Sequence, residues 1–454
     1  MLFQTQIFLL AFLPPVLALY YLLARHQVVR EWMLILASAI FYGWWDIRFL
    51  PLIVGQVVVS WAAARVAGPG KSSLLTLAVA GNLIVLALFK YIDFAIASLE
   101  SVMSVDLPRS GLILPIGISF YTFHLITYLI DLRRSEAPVY GLRRMLLYVM
   151  YFPQLVAGPI IRQSEIMWQF DLDPLHAGLS ERIGRGAVLF ILGLTKKVFI
   201  ADKLAPVADT AFAVSTSSTP LLGDAWSGSL AFSFQLFLDF SAYSDMAIGI
   251  ALMMGLRLPD NFNVPYRARN IQDFWRRWHM TLSRFFRDYL YIPLGGSRAG
   301  PLRFVMATVG TMTLCGLWHG AGWTFVVWGF AHGIALVICR AWSAVPLKLP
   351  GVLSWLLTMA FVFAGWVVFR AVDFTSAVNM FQGLAGLGGV GGGSLWWLIA
   401  IAAIVSTIGP STTNVAIEKL TPGPTFAVLA ALLLIACVLQ VGAGQPVSFI
   451  YFQF

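Results

Sequence analysis

Apolar stretches long enough to cross a bilayer recur along almost the whole of this 454-residue chain, and they leave it little choice of fold. About 20 apolar residues make one transmembrane helix. Such runs fall near 7–24, 32–46, 49–66, 74–98, 111–131, 186–203, 225–256, 303–318, 321–339, 352–370, 395–409 and 425–441. Charged residues make up only 11% of the sequence, against about 25% in an ordinary soluble domain, and the mean hydropathy is +0.81. The expectation is an all-α polytopic membrane protein, a single membrane-embedded domain over 1–454.

Basic residues then set the orientation. A net charge of +9 orients a membrane protein and gives no argument for nucleic acid. Arg25 and Arg30, Arg65 and Lys71, Arg133, Arg134, Arg143 and Arg144, Arg182 and Arg185, the block 257–303, Arg340 and Lys348, and Lys419 fall on one side. The alternate loops lack them: 204–224 carries Asp209 and Asp224, and 374–394 is Gly-rich and uncharged. The positive-inside rule puts the basic side, including the amphipathic segment 257–303, in the cytoplasm and both termini outside. No Lys or Arg precedes the first apolar run, so that helix is expected to be retained rather than cleaved. Lys196, Lys197 and Lys203 depart from the scheme, lying within or at the outer end of a span, where they snorkel or face the protein interior. Cys315, Cys339 and Cys437 sit in apolar segments with no pairing pattern or metal-ligand spacing. That argues against a disulfide framework, and no metal is required.

Three segments differ from plain spans. Residues 145–161 are apolar but carry Pro153, Gly158 and Pro159 between Arg144 and Arg162. This suits a re-entrant or in-plane segment, whose non-helical backbone must be covered by protein or line a cavity. Segment 225–256 holds Gln235, Asp239, Ser241, Ser244 and Asp245; a face this polar lines a cavity or packs against neighbouring helices. Over 273–290, helical spacing puts Phe274, Trp275, Trp278, Leu282, Phe285, Phe286 and Tyr289 on one arc and Arg276, Arg277, Arg284 and Arg287 on the other. That pattern predicts an interfacial helix with its aromatic face in the headgroup boundary. A membrane-surface anchor explains the arginines. So does a site where Arg276, Arg277 and Arg284, with Arg267 and Arg269, meet the phosphates of an anionic donor; cationic clusters beside anionic membranes serve both ends.

His319 lies in Leu317-Trp318-His319-Gly320-Ala321-Gly322-Trp323, within otherwise uncharged apolar sequence. An ionisable group at such depth is costly to bury and usually functional, and histidine suits proton transfer near neutral pH. A buried histidine satisfied by a backbone carbonyl explains the same residue. Cys315, four positions earlier, shares a helical face with it, which allows either an acyl-enzyme nucleophile or a small apolar core residue. His332 sits in the following span, His124 in an earlier one, and His26 and His176 in loops.

Arg276-Arg277-Trp278-His279-Met280-Thr281-Leu282-Ser283 followed by Leu317-Trp318-His319-Gly320 resembles the membrane-bound O-acyltransferase family. Asn261-Phe262-Asn263-Val264-Pro265-Tyr266, Asp239-Phe240-Ser241-Ala242-Tyr243-Ser244-Asp245, Tyr151-Phe152-Pro153-Gln154-Leu155-Val156-Ala157-Gly158-Pro159 and the terminal Phe449-Ile450-Tyr451-Phe452-Gln453-Phe454 support the likeness. Within the family it looks most like the bacterial alginate O-acetyltransferase membrane subunits, and more distantly like the teichoic acid D-alanyl transferases.

The resemblance implies about 11–13 spanning, re-entrant and interfacial helices around a central funnel. It makes His319 the essential position and His279 the second polar position, often asparagine in eukaryotic members. It also implies a protein of the bacterial inner membrane that takes an acyl group from a cytoplasmic thioester, acetyl-CoA or another, as co-substrate, with no permanently bound cofactor. The acyl group passes to the periplasmic side for exopolysaccharide O-acetylation through a periplasmic O-acetyltransferase. In this reading neutral His319 is the base that activates a hydroxyl, while His279 orients the acceptor or donates to the oxyanion. Asp239, Asp245, Trp318, Trp278 and Cys315 line the cavity, and Asp239 or Asp245 can orient a histidine. Two other readings remain: a transporter or channel subunit for donor or polysaccharide without chemistry, and an acyltransferase acting on a lipid, on cellulose or on another envelope polymer. The outer loops 99–110, 204–224 and 371–394 are where a partner would dock.

Overall fold

The computed structural model describes residues 1–103, 105–346, 348–420, 423–443 and 449–453. Among them every regular element is helical. Six helices are long and apolar enough to cross a bilayer: Ile47–Ala67, Ser73–Met103, Leu222–Met253, Trp323–Trp342, Gly351–Arg370 and Pro424–Gly442. Ile7–Leu22 and Trp396–Thr407 are shorter apolar helices. The all-α polytopic class follows. The chain packs as two compact units interleaved in sequence.

The first unit comprises Met1–Ile191, Tyr243–Pro259 and Lys419–Pro446. It contains the broken segment expected at 145–161: helix Leu142–Met150, a short turn Phe152–Leu155, then non-helical chain to Gln163. That irregular backbone is covered by protein. Phe152 N–H donates to Ser38 Oγ at 3.1 Å, Tyr148 Oη to the Ile161 carbonyl at 2.8 Å, and Ile161 N–H to His124 Nε2 at 3.3 Å. His124 is therefore spent on the backbone. Gly117, at φ +72°, seats this segment, since a Cβ there would lie 2.8 Å from the Leu155 carbonyl oxygen. Buried Glu31 gathers Arg143 at 2.7 Å and Arg144 at 3.1 Å.

The second unit comprises Leu192–Ala242, Asp260–Glu418 and Val447–Phe454. Its centre is a helical hairpin, Pro301–His319 and Trp323–Trp342, turned by Gly320-Ala321-Gly322. Glycines permit the close approach. A Cβ on Gly316 would lie 2.2 Å from the Phe325 carbonyl, and one on Gly329 2.2 Å from that of Met312. Small residues at such contacts are how membrane helices gain packing area.

The interfacial helix expected over 273–290 is not formed, and this is a correction. The chain runs Ile271–Trp275, a turn at 276–279, then Met280–Phe286 and a wider turn Arg287–Tyr291. His279 breaks it, with φ +41° and ψ +55°. Phe274, Trp275 and Trp278 are buried in protein rather than laid in a headgroup layer. Trp278 packs on Phe274, Trp366 and Tyr266 with ring centroids at 5.5, 4.9 and 6.2 Å.

Candidate active site

Left-handed backbone at a non-glycine residue costs roughly 1–2 kcal/mol and persists only where its surroundings enforce it, commonly at functional sites. His279 is such a residue, and a clasp enforces it. Asn263 N–H donates to the Arg277 carbonyl and Met280 N–H to the Asn261 carbonyl, both at 2.9 Å. The strand-like run 261–263 thereby grips the turn 277–280 from both sides.

The clasp also fixes the imidazole. His279 is fully buried, and its Nδ1 lies 2.9 Å from Asn261 Oδ1. The same oxygen accepts from Thr281 Oγ1 at 3.0 Å. An amide oxygen has only lone pairs to offer, so Nδ1 carries the proton. The neutral ring then presents an unprotonated Nε2, which has no hydrogen-bond partner among the described residues.

His319 is the last residue of Pro301–His319 and is 4% exposed. Its ring is walled by Trp318, Trp328, Phe369 and Tyr451, with centroids at 4.8, 5.3, 5.3 and 5.7 Å. Trp318 joins the two histidines, lying 6.1 Å from His279 on its other side. His279 and His319 are thus brought to a common aromatic chamber. Cys315 is buried one turn before His319.

Asp239 does not orient a histidine. Its Oδ1 pairs with Lys197 Nζ at 2.9 Å, and Lys197 also meets Asp202 at 2.7 Å. Asp239 Oδ2 accepts the Ile450 N–H at 2.9 Å. That bond anchors the terminal segment whose Tyr451 faces His319 and whose Phe449 touches Phe240 at 5.7 Å. Phe454, the last residue of that motif, lies outside the described residues. Asp245 is buried in the part of its helix that belongs to the first unit. His332 Nδ1 accepts from Trp275 Nε1 at 3.2 Å, which makes it a strut for the short helix Ile271–Trp275.

The five arginines expected at donor phosphates have separate surroundings. Arg267 caps the end of Trp396–Thr407, donating to the carbonyls of Thr407 at 2.6 Å and Gly409 at 2.8 Å, and to that of Ile408. Arg277 pairs with Asp273 at 2.9 Å. Arg284 is half-buried and Arg276 exposed. Arg269 stands at the mouth of an apolar cavity along Trp323–Trp342. A different cavity, of about 360 Å³, is lined by the helix that ends at His319. Its walls include Trp275, Thr308, Thr311 and Met312, and its rim holds Arg287 and Arg340. Thr308, Thr311, Met312, Cys315 and His319 form one buried face of a single helix, so the seven residue steps from Met312 to His319 span about 10 Å.

Sequence reasoning missed Asn261, Lys197 as the partner of Asp239, and the wall of Trp328, Phe369 and Tyr451. A lysine amid apolar residues was the available signal for Lys197. Asn261 lies 18 residues from His279, with the short elements Pro265–Arg267 and Ile271–Trp275 between them, so no single helix or strand carries both.

Segments 204–224 and 371–394, expected to be outer loops, are partly helical, in Asp202–Ser215 and Phe374–Leu384, and they are laced together. Leu222 and Gly223 donate to the Gly389 and Gly391 carbonyls at 3.0 and 2.8 Å, and Gly393 N–H to Asp224 Oδ1 at 2.7 Å.

A family model described as MBOAT, membrane-bound O-acyltransferase family, matches residues 68–377. The chain is 42% identical over 428 residues to a peptidoglycan O-acetyltransferase of Helicobacter pylori, covering 86% of this chain and 81% of that one. It is 41% identical over 401 residues to a probable alginate O-acetylase, AlgI, of Pseudomonas aeruginosa, covering 86% and 75%. A teichoic acid D-alanyltransferase of Streptococcus thermophilus is 30% identical over 240 residues, covering 50% and 57%. With the paired histidines in one chamber and a family match over most of its length, the chain belongs to the membrane-bound O-acyltransferase family and is a membrane-bound O-acyltransferase of polymer modification.

Proposed function

We propose that this enzyme passes an acetyl group from a cytoplasmic thioester, acetyl-CoA, through the inner membrane to a periplasmic O-acetyltransferase, for O-acetylation of an exopolysaccharide such as alginate. The observation that carries the chemistry is the fixed tautomer of His279 opposite His319. A hydroxyl attacks the thioester carbonyl and forms the C–O bond; the C–S bond then breaks, and coenzyme A leaves as the thiol with the proton that the base took from the hydroxyl. A hydroxyl is a poor nucleophile until a base takes its proton. With Nδ1–H committed to Asn261, His279 Nε2 can accept that proton but cannot donate to an oxyanion. This reverses the allocation expected from sequence: His279 is the base, and His319 donates its N–H to the carbonyl oxygen as charge gathers there. An asparagine at the second position, as in eukaryotic members, can accept a hydrogen bond but not remove the proton, so this allocation belongs to chains with the histidine pair.

The donor approaches through the cavity lined by Arg340 and by Arg287, which pairs with Asp288 at 2.7 Å; the Arg340 guanidinium suits phosphate. Its thioester arm follows the Thr308–Met312 face that lines this cavity and continues along the same helix to His319. A water-poor chamber strengthens each donor and protects the thioester from hydrolysis. The relatives named for alginate support the polymer. Peptidoglycan is the second reading, supported by the Helicobacter pylori relative at 42% identity, against 41% for the alginate relative of Pseudomonas aeruginosa.

The test is transfer of labelled acetyl from acetyl-CoA to a purified periplasmic partner in proteoliposomes. His279→Gln keeps an acceptor but loses the base, and should cost about 10²–10⁴-fold. His319→Gln keeps an N–H donor and should retain more activity than His319→Ala, which should lose about 10²–10³-fold. If His279→Gln works within a few-fold of wild type while both His319 variants are equally dead, the base is at 319. Label that reaches the partner unchanged in every histidine variant would remove the enzyme reading of this chamber altogether.

A further inference from the structure

A cavity of about 1200 Å³ lies in the second unit along Trp323–Trp342 and Gly351–Arg370, both long and apolar enough to span a bilayer. It is larger than the cavity lined by Thr308, Thr311 and Met312, and the chemistry proposed above makes no use of it. Its walls are apolar, with Phe330, Ile338, Trp342 and Leu357 each substantially exposed.

One end of the groove is different. Arg269 and Lys348 line it there, both exposed and neither with a hydrogen-bond or ion-pair partner among the described residues. The Arg269 guanidinium sits over the start of Gly351–Arg370: a Cβ on Gly351 would lie 3.2 Å from its Nη1. That 20-residue helix begins without a side-chain cap, so its first amides add positive potential at the same end. Two cations and an open helix N-terminus converge where the apolar walls stop.

The dimensions fit one bilayer leaflet. From Trp342 to Phe330 is twelve residues, about 18 Å of helix, against about 15 Å for half the hydrocarbon core. A ligand matching both features has an anionic head and an acyl chain. A phosphate is a natural partner for an arginine beside a helix N-terminus, and basic groups at the cytoplasmic face select anionic lipids.

We propose that this groove is a binding site for an anionic phospholipid, its phosphate held between Arg269 and Lys348 and an acyl chain lying along Trp342, Ile338 and Phe330. The lipid also backs the candidate active site. Phe361 of the groove packs on His332 at 5.0 Å, and His332 holds Trp275, which lines the cavity proposed for the donor. The site stands independently of the acyl-transfer reading.

Native mass spectrometry of the full chain in detergent provides the test, with dioleoyl phosphatidylglycerol titrated against dioleoyl phosphatidylcholine. Wild type should prefer phosphatidylglycerol by roughly tenfold or more, the scale set by two basic side chains near an anionic surface. The Arg269→Gln/Lys348→Gln double variant should lose that preference while keeping its melting temperature in phosphatidylcholine, and Arg269→Lys should keep most of it. Phosphatidylglycerol brominated on its chains should quench wild-type fluorescence more than that of Trp342→Phe. Equal binding of the two lipids, or a preference that survives the double variant, overturns the proposal. Competition by acetyl-CoA for the bound phosphatidylglycerol also overturns it, by making the groove a donor site.

Discussion

Asn261 Oδ1 stands 2.9 Å from His279 Nδ1, and this contact decides which nitrogen of the buried imidazole carries the proton. The backbone of the same residue accepts from Met280, so one asparagine sets both the turn and the tautomer. Asn261→Ala removes the second function and leaves the first. The expected result is a fall in kcat of about 10–100-fold, the usual cost of losing a group that orients a histidine, with KM for the thioester donor unchanged. A steady-state comparison at saturating acceptor checks it. An unchanged kcat would show that the Nδ1 contact is packing alone.

Lys197 and Asp239 are each 2% exposed, and Asp202 shares the lysine. Removing one member of a buried pair typically costs 3–5 kcal/mol because a charge is left uncompensated. The three-body arrangement makes the substitutions unequal. Asp239→Asn leaves Lys197 with Asp202, whereas Lys197→Met strands two carboxylates. Detergent-solubilised melting temperatures should therefore rank wild type above Asp239→Asn, and Asp239→Asn above Lys197→Met. The opposite order would mean that the lysine is not the hub.

The spans and His319 were legible because apolar length and an ionisable group in apolar sequence are local signals, whereas His279 was named through the family resemblance. His319 needed only its neighbours to be noticed. The broken helix at His279 was not legible: the residues around it keep a helical pattern of aromatic and basic side chains, and the break is imposed by the distant run 261–263. Asp239 misled for a related reason. A carboxylate among apolar residues announces a partner without saying which, and Lys197 and the Ile450 amide are 42 and 211 residues away in sequence.

Cys315 stands one turn from His319 on the same buried face and is 2% exposed. If acyl transfer passes directly from thioester to hydroxyl, Cys315→Ala should keep activity within about threefold, the loss reflecting a small cavity rather than chemistry. An acetylated Cys315 trapped by rapid acid quench and found by peptide mass spectrometry would establish the covalent route instead.

The hairpin glycines give a sharper structural expectation. A Cβ at Gly316 meets a backbone carbonyl at 2.2 Å and the Gly329 backbone at 3.0 Å, neither of which a rotamer change relieves. Gly316→Ala must separate the helices that present His319 and Trp328. Overpacking of this kind typically costs about 1–3 kcal/mol. Activity should fall by more than the melting temperature suggests, because the displaced group is the chamber wall. Gly310, whose Cβ would meet nothing within 4 Å, is the control on the same helix, and Gly310→Ala should be neutral. Equal behaviour of the two variants would dismiss the close-contact account.

Asp373 opens the helix Phe374–Leu384, inside the segment 371–394 where a partner is expected to dock. Its Oδ1 accepts from the Ser376 N–H at 2.7 Å and from Ser376 Oγ at 2.8 Å. These bonds, the backbone one foremost, hold the carboxyl below the usual carboxylate range. A carboxylate with a lowered folded value stabilises the helix above its unfolded value of about 3.9, and that contribution disappears as pH falls through the folded value. Asp373→Ala should loosen the first turn by about 1 kcal/mol at neutral pH, as capping losses do. Hydrogen exchange of the 374–379 amides measures it. The gap in protection between wild type and variant, once corrected for intrinsic exchange, should be full at pH 7 and narrow steadily below about pH 4. A gap of the same size at pH 3 and pH 7 would mean that the cap acts through shape, with its charge irrelevant.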